Sequence, residues 1–198
     1  MMIELFRNIT KTKLHFWDSL NVVRAGILGA NDGIISVSGI VLGAAAANLS
    51  GHTLFISGIS GMLAGACSMA GGEYISVSAQ KEVQLKRLDE QEVSDEQDQE
   101  ILHEIDLMNP IHAAAMSFMS FILGALIPLL AISLSPARWR VLDTALAMVV
   151  ALAINALIGY TNTNTSKLKA ILQNVAVGLF TTVVTYLIGM ILGVAVSA

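Results

Sequence analysis

Residues 20–50 read LNVVRAGILGANDGIISVSGIVLGAAAANLS, a glycine-rich apolar stretch that holds one carboxylate, Asp32, in its interior. About 20 apolar residues in a helix suffice to cross the hydrocarbon core of a bilayer, and this stretch is longer than that. A charged side chain inside a span costs about 2.5–3.5 kcal/mol on insertion scales, and such residues usually mark a pathway for ions or protons. The stretch therefore predicts a transmembrane helix in which Asp32 needs a functional explanation.

The composition of the whole chain is that of an integral membrane protein. Apolar residues make up 55% of the 198 residues and charged residues only 13%, and the mean hydropathy is +0.69. Five apolar segments are each long enough to span as a helix, namely residues 22–47, 53–79, 110–134, 141–160 and 169–196. We therefore expect an all-α, polytopic protein with five transmembrane helices in one membrane domain over residues 1–198. The first apolar run is too long for a cleaved secretory signal, so we expect it to be retained.

The basic residues fall almost entirely on one side of the predicted spans. If the spans alternate in direction, nine of the eleven lysines and arginines lie on one side, and only Arg138 and Arg140 lie on the other. In membrane proteins the cytoplasmic connections carry the excess of Lys and Arg. We therefore expect the N-terminus in the cytoplasm, together with the long polar connection over residues 80–109.

The connection over residues 80–109 is acidic and is predicted to be helical. It holds ten of the fifteen acidic residues of the chain and contains no Gly or Pro, which favours a helix that continues out of the second span. Four of its glutamates recur at every fourth residue: Glu92, Glu96, Glu100 and Glu104. Like charges at that spacing repel unless a cation binds them. Two interpretations stay open, a weak cation-collecting surface and a solvated acidic face.

A second carboxylate, Glu73, lies inside the second span at a depth similar to that of Asp32. Each carboxylate is eight residues, or about 12 Å of helix, from a basic residue near the cytoplasmic end of its span, Arg24 or Lys81. Met69 precedes Glu73 by one turn, so that a thioether and a carboxylate face the same way. Ser36 stands in the same relation to Asp32.

These spans offer a mixed set of hard and soft metal ligands. The set consists of Asp32, Glu73 and Met69, with oxygens from Asn31, Ser36 and Ser76. Such a set suits a first-row divalent cation such as Fe²⁺ or Mn²⁺ better than Ca²⁺ alone. Without a metal at least one buried carboxylate should take up a proton, so the same groups could exchange a metal for protons. The alternative is structural, with the carboxylates paired with Arg24 or capped by hydroxyls and with Met69 as a packing residue.

Small residues recur at a spacing of four in the first two spans, for example Gly29 with Gly33 and Gly39 with Gly43. This spacing predicts close helix packing, either within one subunit or across a dimer. Asn155, in the fourth span, is expected to bond between helices rather than to line a cavity.

Three runs resemble the vacuolar iron transporter family, in its nodulin-like and bacterial branch: GANDGIISVSGIVLGAAAA, ACSMAGGEYISVSAQKE and NPIHAAAMSFMSFILGALIPLL. The resemblance covers all five spans. It implies a homodimer of five-helix subunits that exports Fe²⁺, and often Mn²⁺, from the cytosol in exchange for protons. By motif, Asp32 matches the family's essential carboxylate, Met69 its second-span methionine and Glu73 the acidic position of the nodulin-like branch. The cytoplasmic insert of better-known members, which has several helices, is here reduced to about one helix's worth of residues.

We therefore expect a proton-coupled exporter of divalent iron or manganese. Asp32, Met69 and Glu73 would form its intramembrane site, and the lesser candidates are Asn31, Ser36 and the four loop glutamates. The metal is a substrate, so no permanently bound cofactor is expected. The expected partners are a second copy of the chain, the lipid bilayer, divalent metal ions and protons, without any nucleic acid. The short chain favours a bacterial plasma membrane over a vacuolar one.

Two rival functions remain. The first is a structural or regulatory membrane protein of the same fold that has lost transport. The second is an intramembrane enzyme, which we do not expect because the chain lacks a paired Glu-x-x-His set and a Gly-x-Ser-x-Gly nucleophile turn.

Overall fold

Five α-helices make up the computed structural model, which describes residues 20–90, 109–159 and 166–197. Helix α1 spans Leu20–Ala46, α2 spans Gly51–Glu90, α3 spans Pro110–Leu134, α4 spans Arg140–Gly159 and α5 spans Lys167–Ser197. All five are long and apolar enough to cross a membrane. The predicted all-α architecture with five spans is therefore confirmed for the described residues.

Four of the helices begin and end within two residues of the predicted spans, and α2 is the exception. It continues past residue 79 as far as Glu90, as expected of a segment that lacks Gly and Pro. Residues 91–108, which include Glu92, Glu96, Glu100 and Glu104, lie outside the described residues, as do residues 1–19 and 160–165.

Short polar caps set where two of the helices begin. Asn48, between α1 and α2, has φ 58°, a left-handed conformation that Asn tolerates better than most residues. Ser50 then accepts a hydrogen bond from the backbone N–H of Thr53 at 3.2 Å. At the start of α3, the side chain of Asn109 accepts from two backbone N–H groups, and Pro110 occupies the first helical position.

Contacts between helices show that they alternate in direction. A Cβ on Gly26, near the start of α1, would lie 3.0 Å from Met116, near the start of α3. A Cβ on Gly159, at the end of α4, would lie 3.2 Å from Ile27 of α1. Val77, in the second half of α2, packs against Ala25 of α1, and a Cβ on Gly193, near the end of α5, would lie 2.7 Å from Ala47, just past the end of α1. The starts of α1, α3 and α5 therefore share one end of the bundle with the ends of α2 and α4. We call it the basic end, because it carries Arg24, Lys81, Lys86, Lys167 and Lys169, and we call the opposite end the far end.

Helix α1 is the central element of the bundle. It packs against each of the other four helices, which follow one another around it as an arc from α2 to α5. In the most apolar stretch of α1, 61% of the residues are buried, whereas in that of α5 only 17% are. Within the described residues no extensive contact closes the arc between α2 and α5. The gap leaves one stripe of α1 only partly covered, and we call it the open face. In it Arg24, Leu28, Asp32 and Ile40 are exposed and Ser36 is half-buried.

Glycines let the backbone of α1 approach α3 closely. A Cβ on Gly29 would lie 2.6 Å from the backbone oxygen of Ser117, and a Cβ on Gly33 would overlap the backbone oxygen of Phe121. Only a residue without a side chain fits at such a crossing. These glycines therefore serve packing within one subunit, one of the two alternatives that their spacing left open.

The apolar side chains divide between a buried cluster and an outer surface of the kind that lipid covers. The cluster joins α1, α2 and α3 and includes Val41, Met62 and Phe121. On the outside, large apolar side chains are exposed, such as Leu134 at 80% and Phe180 at 72%. Water would not tolerate so much exposed apolar surface, whereas the hydrocarbon of a bilayer does.

Candidate metal site

Glu73 is a buried carboxylate that forms an ion pair with Arg24. Its side chain is 9% exposed, and its Oε1 lies 2.6 Å from Nη2 of Arg24. The guanidinium donates a charge-assisted hydrogen bond across this distance. Sequence reasoning gave this pairing only as the structural alternative, and the structure now shows that Arg24 and Glu73 are in contact.

The packing one turn from Glu73 fixes its depth relative to Asp32. Val77 of α2 is fully buried against Ala25 of α1 and Ala113 of α3. Since α1 and α2 are antiparallel, Glu73 lies about 6 Å farther from the basic end than Val77 does, near the level of Gly29. By the same count, Met69 lies within about one turn of the level of Asp32. Glu73 and Met69 thus bracket the depth of Asp32, in agreement with the predicted similarity.

Asp32 lies on the open face of α1 and is exposed. Its Oδ1 accepts a hydrogen bond from Oγ of Ser36 at 2.7 Å, one turn farther along the helix. The contact is local to α1, so it orients the carboxylate without burying it. Asp32 and Ser36 are therefore brought together as the sequence predicts, at the middle of a membrane-spanning helix.

Met69 is half-buried and packs against the apolar cluster of α1, α2 and α3. This contact is the packing role that sequence reasoning considered for Met69. It also lies one turn before Glu73, so both side chains project from neighbouring positions on one side of α2.

Asn31 takes part in a contact between α1 and α4. Nδ2 of Asn155 donates to the backbone oxygen of Ile27 at 3.2 Å and reaches Oδ1 of Asn31 at 3.4 Å. Asn155 is 8% exposed, so this amide serves a bond between helices, as predicted. Asn31 therefore has a protein partner and turns toward α4, away from the open face.

A groove between α1 and α5 extends from Ser36 toward the far end. It has a volume of about 850 Å³ and is lined mostly by apolar and small residues, with hydroxyl groups from Ser36, Thr181 and Thr185. It reaches Leu49 and Gly193 at the far end. The two helices approach closely here, because a Cβ on Gly189 would overlap the backbone of Gly43.

Sequence reasoning missed this groove, although a signal for it exists. Small residues recur at every fourth position of the fifth span: Thr181, Thr185, Gly189 and Gly193. Such a stripe marks the face of a helix that approaches a neighbour closely.

The described residues of one chain do not assemble a complete cluster of metal ligands. In this part of the protein, no group of three or more His, Cys, Asp or Glu side chains is placed to hold a metal ion. The four loop glutamates lie outside it, so their cation-binding role stays a prediction. One subunit thus contributes two intramembrane carboxylates with different partners, Asp32 with Ser36 and Glu73 with Arg24.

Comparison with known proteins identifies the family. The sequence model described as the VIT family matches residues 23–108 and 90–190, which together include both carboxylates and most of the five helices. The chain belongs to the VIT family.

Plant members of the VIT family are similar to this chain over much of its length. Vacuolar iron transporter homolog 2.1 of Arabidopsis thaliana is 32% identical over 184 residues, which cover 89% of this chain and 84% of that protein. Vacuolar iron transporter homolog 2 of the same plant is 35% identical over 138 residues, or 69% of this chain and 67% of that protein. Vacuolar iron transporter homolog 5 of Oryza sativa subsp. japonica is 42% identical over 111 residues, or 56% of this chain. The chain spans about half the length of that rice protein, 51%.

Proposed function

We propose that this VIT-family chain is one subunit of a homodimeric, proton-coupled exporter of divalent iron or manganese, with the cytosol at the basic end. The family, and relatives named as vacuolar iron transporter homologs, support metal-ion transport with iron as the first candidate. They also point away from an enzyme. In this chain, the observation that carries the proposal is the exposed carboxylate of Asp32 in the middle of α1.

The position of Asp32 calls for a neighbour that a single subunit does not provide. A carboxylate at this depth is costly against hydrocarbon, and such residues face a bundle interior or a water-filled cavity. The open face of α1 is the side on which no helix of the same chain covers Asp32. A partner on this face would remove the carboxylate from lipid.

A second copy of the chain is the natural partner for the open face. An isologous dimer places the same surface of both copies across a two-fold axis. Two copies meeting through their open faces would bring both Asp32 carboxylates toward that axis, with Glu73 and Met69 of each copy at neighbouring depths. The pair would offer more carboxylates to one divalent ion than one chain can.

The same carboxylates supply a coupling to protons. Arg24 compensates the charge of Glu73, whereas the structure gives Asp32 only a hydroxyl partner. An uncompensated negative charge inside a membrane is unfavourable, so a divalent cation or a proton must neutralise Asp32. A metal that leaves toward the far end is then replaced by protons that enter from that side. Release of the protons toward the cytosol returns the carboxylates to the form that binds metal.

The groove between α1 and α5 offers a route from the site to the far end. It begins at Ser36, the hydrogen-bond partner of Asp32, and continues past Thr181 and Thr185. The hydroxyl oxygens of these three residues would be the ligands for a passing ion, although the Thr185 hydroxyl hydrogen is already bonded to carbonyls of its own helix. On the cytosolic side, the four glutamates of the acidic segment would collect cations, a role proposed here on their charge pattern.

Two observations bear on which membrane contains the protein, namely the names of its relatives and the length of the chain. The names of the plant relatives point to a vacuolar membrane. The bacterial plasma membrane, which the short chain favours, receives no support from these relatives. The proposed direction, out of the cytosol, is the same in both.

One observation favours the rival function, a structural or regulatory membrane protein. Both carboxylates have partners within the chain, Asp32 with Ser36 and Glu73 with Arg24, as a purely structural role requires. In that case replacing either carboxylate would leave metal movement unchanged.

Vesicles that contain the purified full-length protein test the proposal. Fe²⁺ and Mn²⁺ are offered separately on the outside, with a metal-sensitive dye and a pH dye inside. The wild type should admit the metal and export protons, and Asp32→Ala should abolish both movements. Asp143→Asn is the matched control, because Asp143 lies in the first turn of α4, at the far end.

The outcomes separate the two functions. Metal entry with opposite proton movement, lost in Asp32→Ala and kept in Asp143→Asn, would establish the exporter and rank its substrates. Equal rates in wild type and Asp32→Ala, or no entry of either metal into vesicles that hold folded protein, would overturn it.

A further inference from the structure

The two members of the ion pair between Arg24 and Glu73 differ in burial, because Glu73 is buried in the bundle whereas Arg24 lies at its edge. The carboxylate is 9% exposed, whereas the arginine side chain is 46% exposed. Packing of Val77 against Ala25 and Ala113 anchors the turn of α2 that follows Glu73. The guanidinium ends a long flexible stem and starts near the basic end, so it can move toward water while the carboxylate stays in place.

From this asymmetry we propose that Arg24 is a built-in competitor of the transported cation. Its guanidinium and the metal ion occupy the carboxylate of Glu73 in turn, and never together. The inference rests on the metal site of the proposed function. It adds a basic residue that sets how tightly that site holds its substrate.

Electrostatics makes the two occupants mutually exclusive. The guanidinium already uses Oε1 of Glu73 at 2.6 Å. A divalent cation on the same carboxylate would lie within a few ångströms of the positive charge of Arg24. Charges this close repel strongly in the low-dielectric interior of a membrane protein. A metal that binds Glu73 therefore displaces Arg24 toward the basic end.

Because Arg24 and the metal ion replace each other, the buried carboxylate of Glu73 always has a positive charge beside it. Removing one member of a buried ion pair is strongly destabilising, because the remaining charge is left uncompensated. When the metal leaves Glu73, the arginine returns and compensates it. The site thus keeps a counter-charge through a cycle of loading and release, and the arginine hastens release of the metal.

The position of Arg24 places this exchange on the way to Asp32. Arg24 and Asp32 both belong to the open face of α1, and Arg24 is eight residues, or about 12 Å of helix, closer to the basic end. A cation that enters at the basic end therefore meets the Arg24–Glu73 pair before it reaches Asp32.

Titration of Mn²⁺ onto the full chain in lipid nanodiscs tests the competition, with the electron paramagnetic resonance signal of free Mn²⁺ as the readout. Arg24→Gln should bind Mn²⁺ at least about tenfold more tightly than wild type, because the positive charge that competes for Glu73 is gone. Arg24→Lys keeps the charge without the planar fork and should fall in between. The double variant Arg24→Gln with Glu73→Gln should lose the gain.

Lys169→Gln is the matched control for this titration. Lys169 is exposed at the same end of the bundle, on α5, so its replacement removes the same charge without removing a partner of Glu73. Its Mn²⁺ affinity should stay close to that of wild type. An equal gain in Lys169→Gln and Arg24→Gln would reduce the effect to net charge and overturn the competition.

A purely structural Arg24 predicts a different pattern. It would give reduced stability with unchanged or weaker Mn²⁺ binding in Arg24→Gln, and that result would overturn the inference. If Arg24→Gln does not fold, binding by Arg24→Lys that is no tighter than that of wild type decides against competition in the same way.

The titration also separates this inference from the proposed function. If the Mn²⁺ affinities follow the expected pattern but no metal moves in the vesicle experiment, the exporter is overturned and the exchange at Glu73 is supported. Transport that Asp32→Ala abolishes, together with an unchanged affinity in Arg24→Gln, would sink the exchange alone. Mn²⁺ binding by wild type and all variants that does not exceed binding to empty nanodiscs would sink both.

Discussion

Nδ2 of Asn155 in α4 donates a hydrogen bond to the backbone oxygen of Ile27 in α1 at 3.2 Å. That carbonyl belongs to the turn that ends at Asn31, immediately before Asp32. The amide of Asn155 therefore restrains the rotation of α1 about its axis at the level where the Asp32 carboxylate projects from the open face. We therefore expect this interhelical bond to affect transport as well as stability.

Replacement of Asn155 by Ala should slow metal transport more than it lowers stability. Bonds of this kind between transmembrane helices contribute about 0.6 kcal/mol on average, so the loss of folding free energy should be small. We expect a fall of about fivefold in the vesicle transport rate, equivalent to about 1 kcal/mol in the barrier. Asn174→Ala is the control, because Asn174 donates to Ala170 within its own helix. Equal rates for the two variants would contradict a positioning role for Asn155.

Gly33→Ala should destabilise the bundle, whereas Gly71→Ala should not. A Cβ on Gly33 would overlap the backbone oxygen of Phe121, which forces α1 away from α3, and overpacking of this kind costs about 1–3 kcal/mol. A Cβ on Gly71 would meet no atom of another helix within 4 Å, and Ala is favoured over Gly in a helix by about 1 kcal/mol. Thermal unfolding in detergent, followed by size-exclusion chromatography, measures both. Equal midpoints would refute the close approach of α1 to α3.

A cysteine on the open face of α1 should cross-link two copies of the chain. We suggest Leu28→Cys in a Cys67→Ser background, treated in native membranes with a short bifunctional maleimide. Leu28 is 43% exposed and belongs to the face that the proposed dimer covers. Phe180→Cys in the same background is the control, because Phe180 is 72% exposed on α5 and is not part of the open face. A dimer band from Phe180→Cys and none from Leu28→Cys would place the interface elsewhere.

Narrowing the groove between α1 and α5 should slow the release of metal without weakening its binding. Thr181→Leu replaces a hydroxyl that lines the groove with a larger apolar group, so the transport rate should fall about fivefold, or about 1 kcal/mol in the barrier. The Mn²⁺ affinity should stay the same, since Asp32 and Glu73 are intact. Val183→Leu enlarges an exposed side chain on the same helix and should behave as wild type. A weaker affinity in Thr181→Leu would assign Thr181 to the binding site instead.

Helix number and helix bounds follow from sequence because hydrocarbon imposes one simple demand. A span needs about 20 apolar residues with every backbone group bonded internally, so long apolar runs become helices of matching length. The segment after residue 79 is a different case, since only the absence of Gly and Pro predicts that α2 continues, and it does so to Glu90. Depth is also predictable, because antiparallel helices of known register place Glu73 within about a turn of Asp32.

The partner of each carboxylate is harder to predict, because it depends on how each helix is rotated about its axis. From sequence, Glu73 was a metal ligand or a partner of Arg24, and nothing in its spacing decides between them. Rotation is set by close packing, such as that of Val77 against Ala25 and Ala113, and small residues that permit such packing occur on several faces. The contact of Asn155 with Ile27 is likewise a product of rotation.

The longest helix, α2, is expected to bend most easily next to its buried carboxylate, Glu73. Gly71 and Gly72 stand in succession just before Glu73, and each costs a helix about 1 kcal/mol relative to Ala, so resistance to bending is lowest there. At 1.5 Å per residue, about 26 Å of helix follows Glu73 before α2 reaches Glu90. Val77, one turn beyond Glu73, is packed against Ala25 and Ala113, so this part of the helix is held against α1 and α3. Any bend of α2 at the glycine pair would therefore tilt the part of the helix between Gly51 and Gly71, while Glu73 keeps its place beside Arg24.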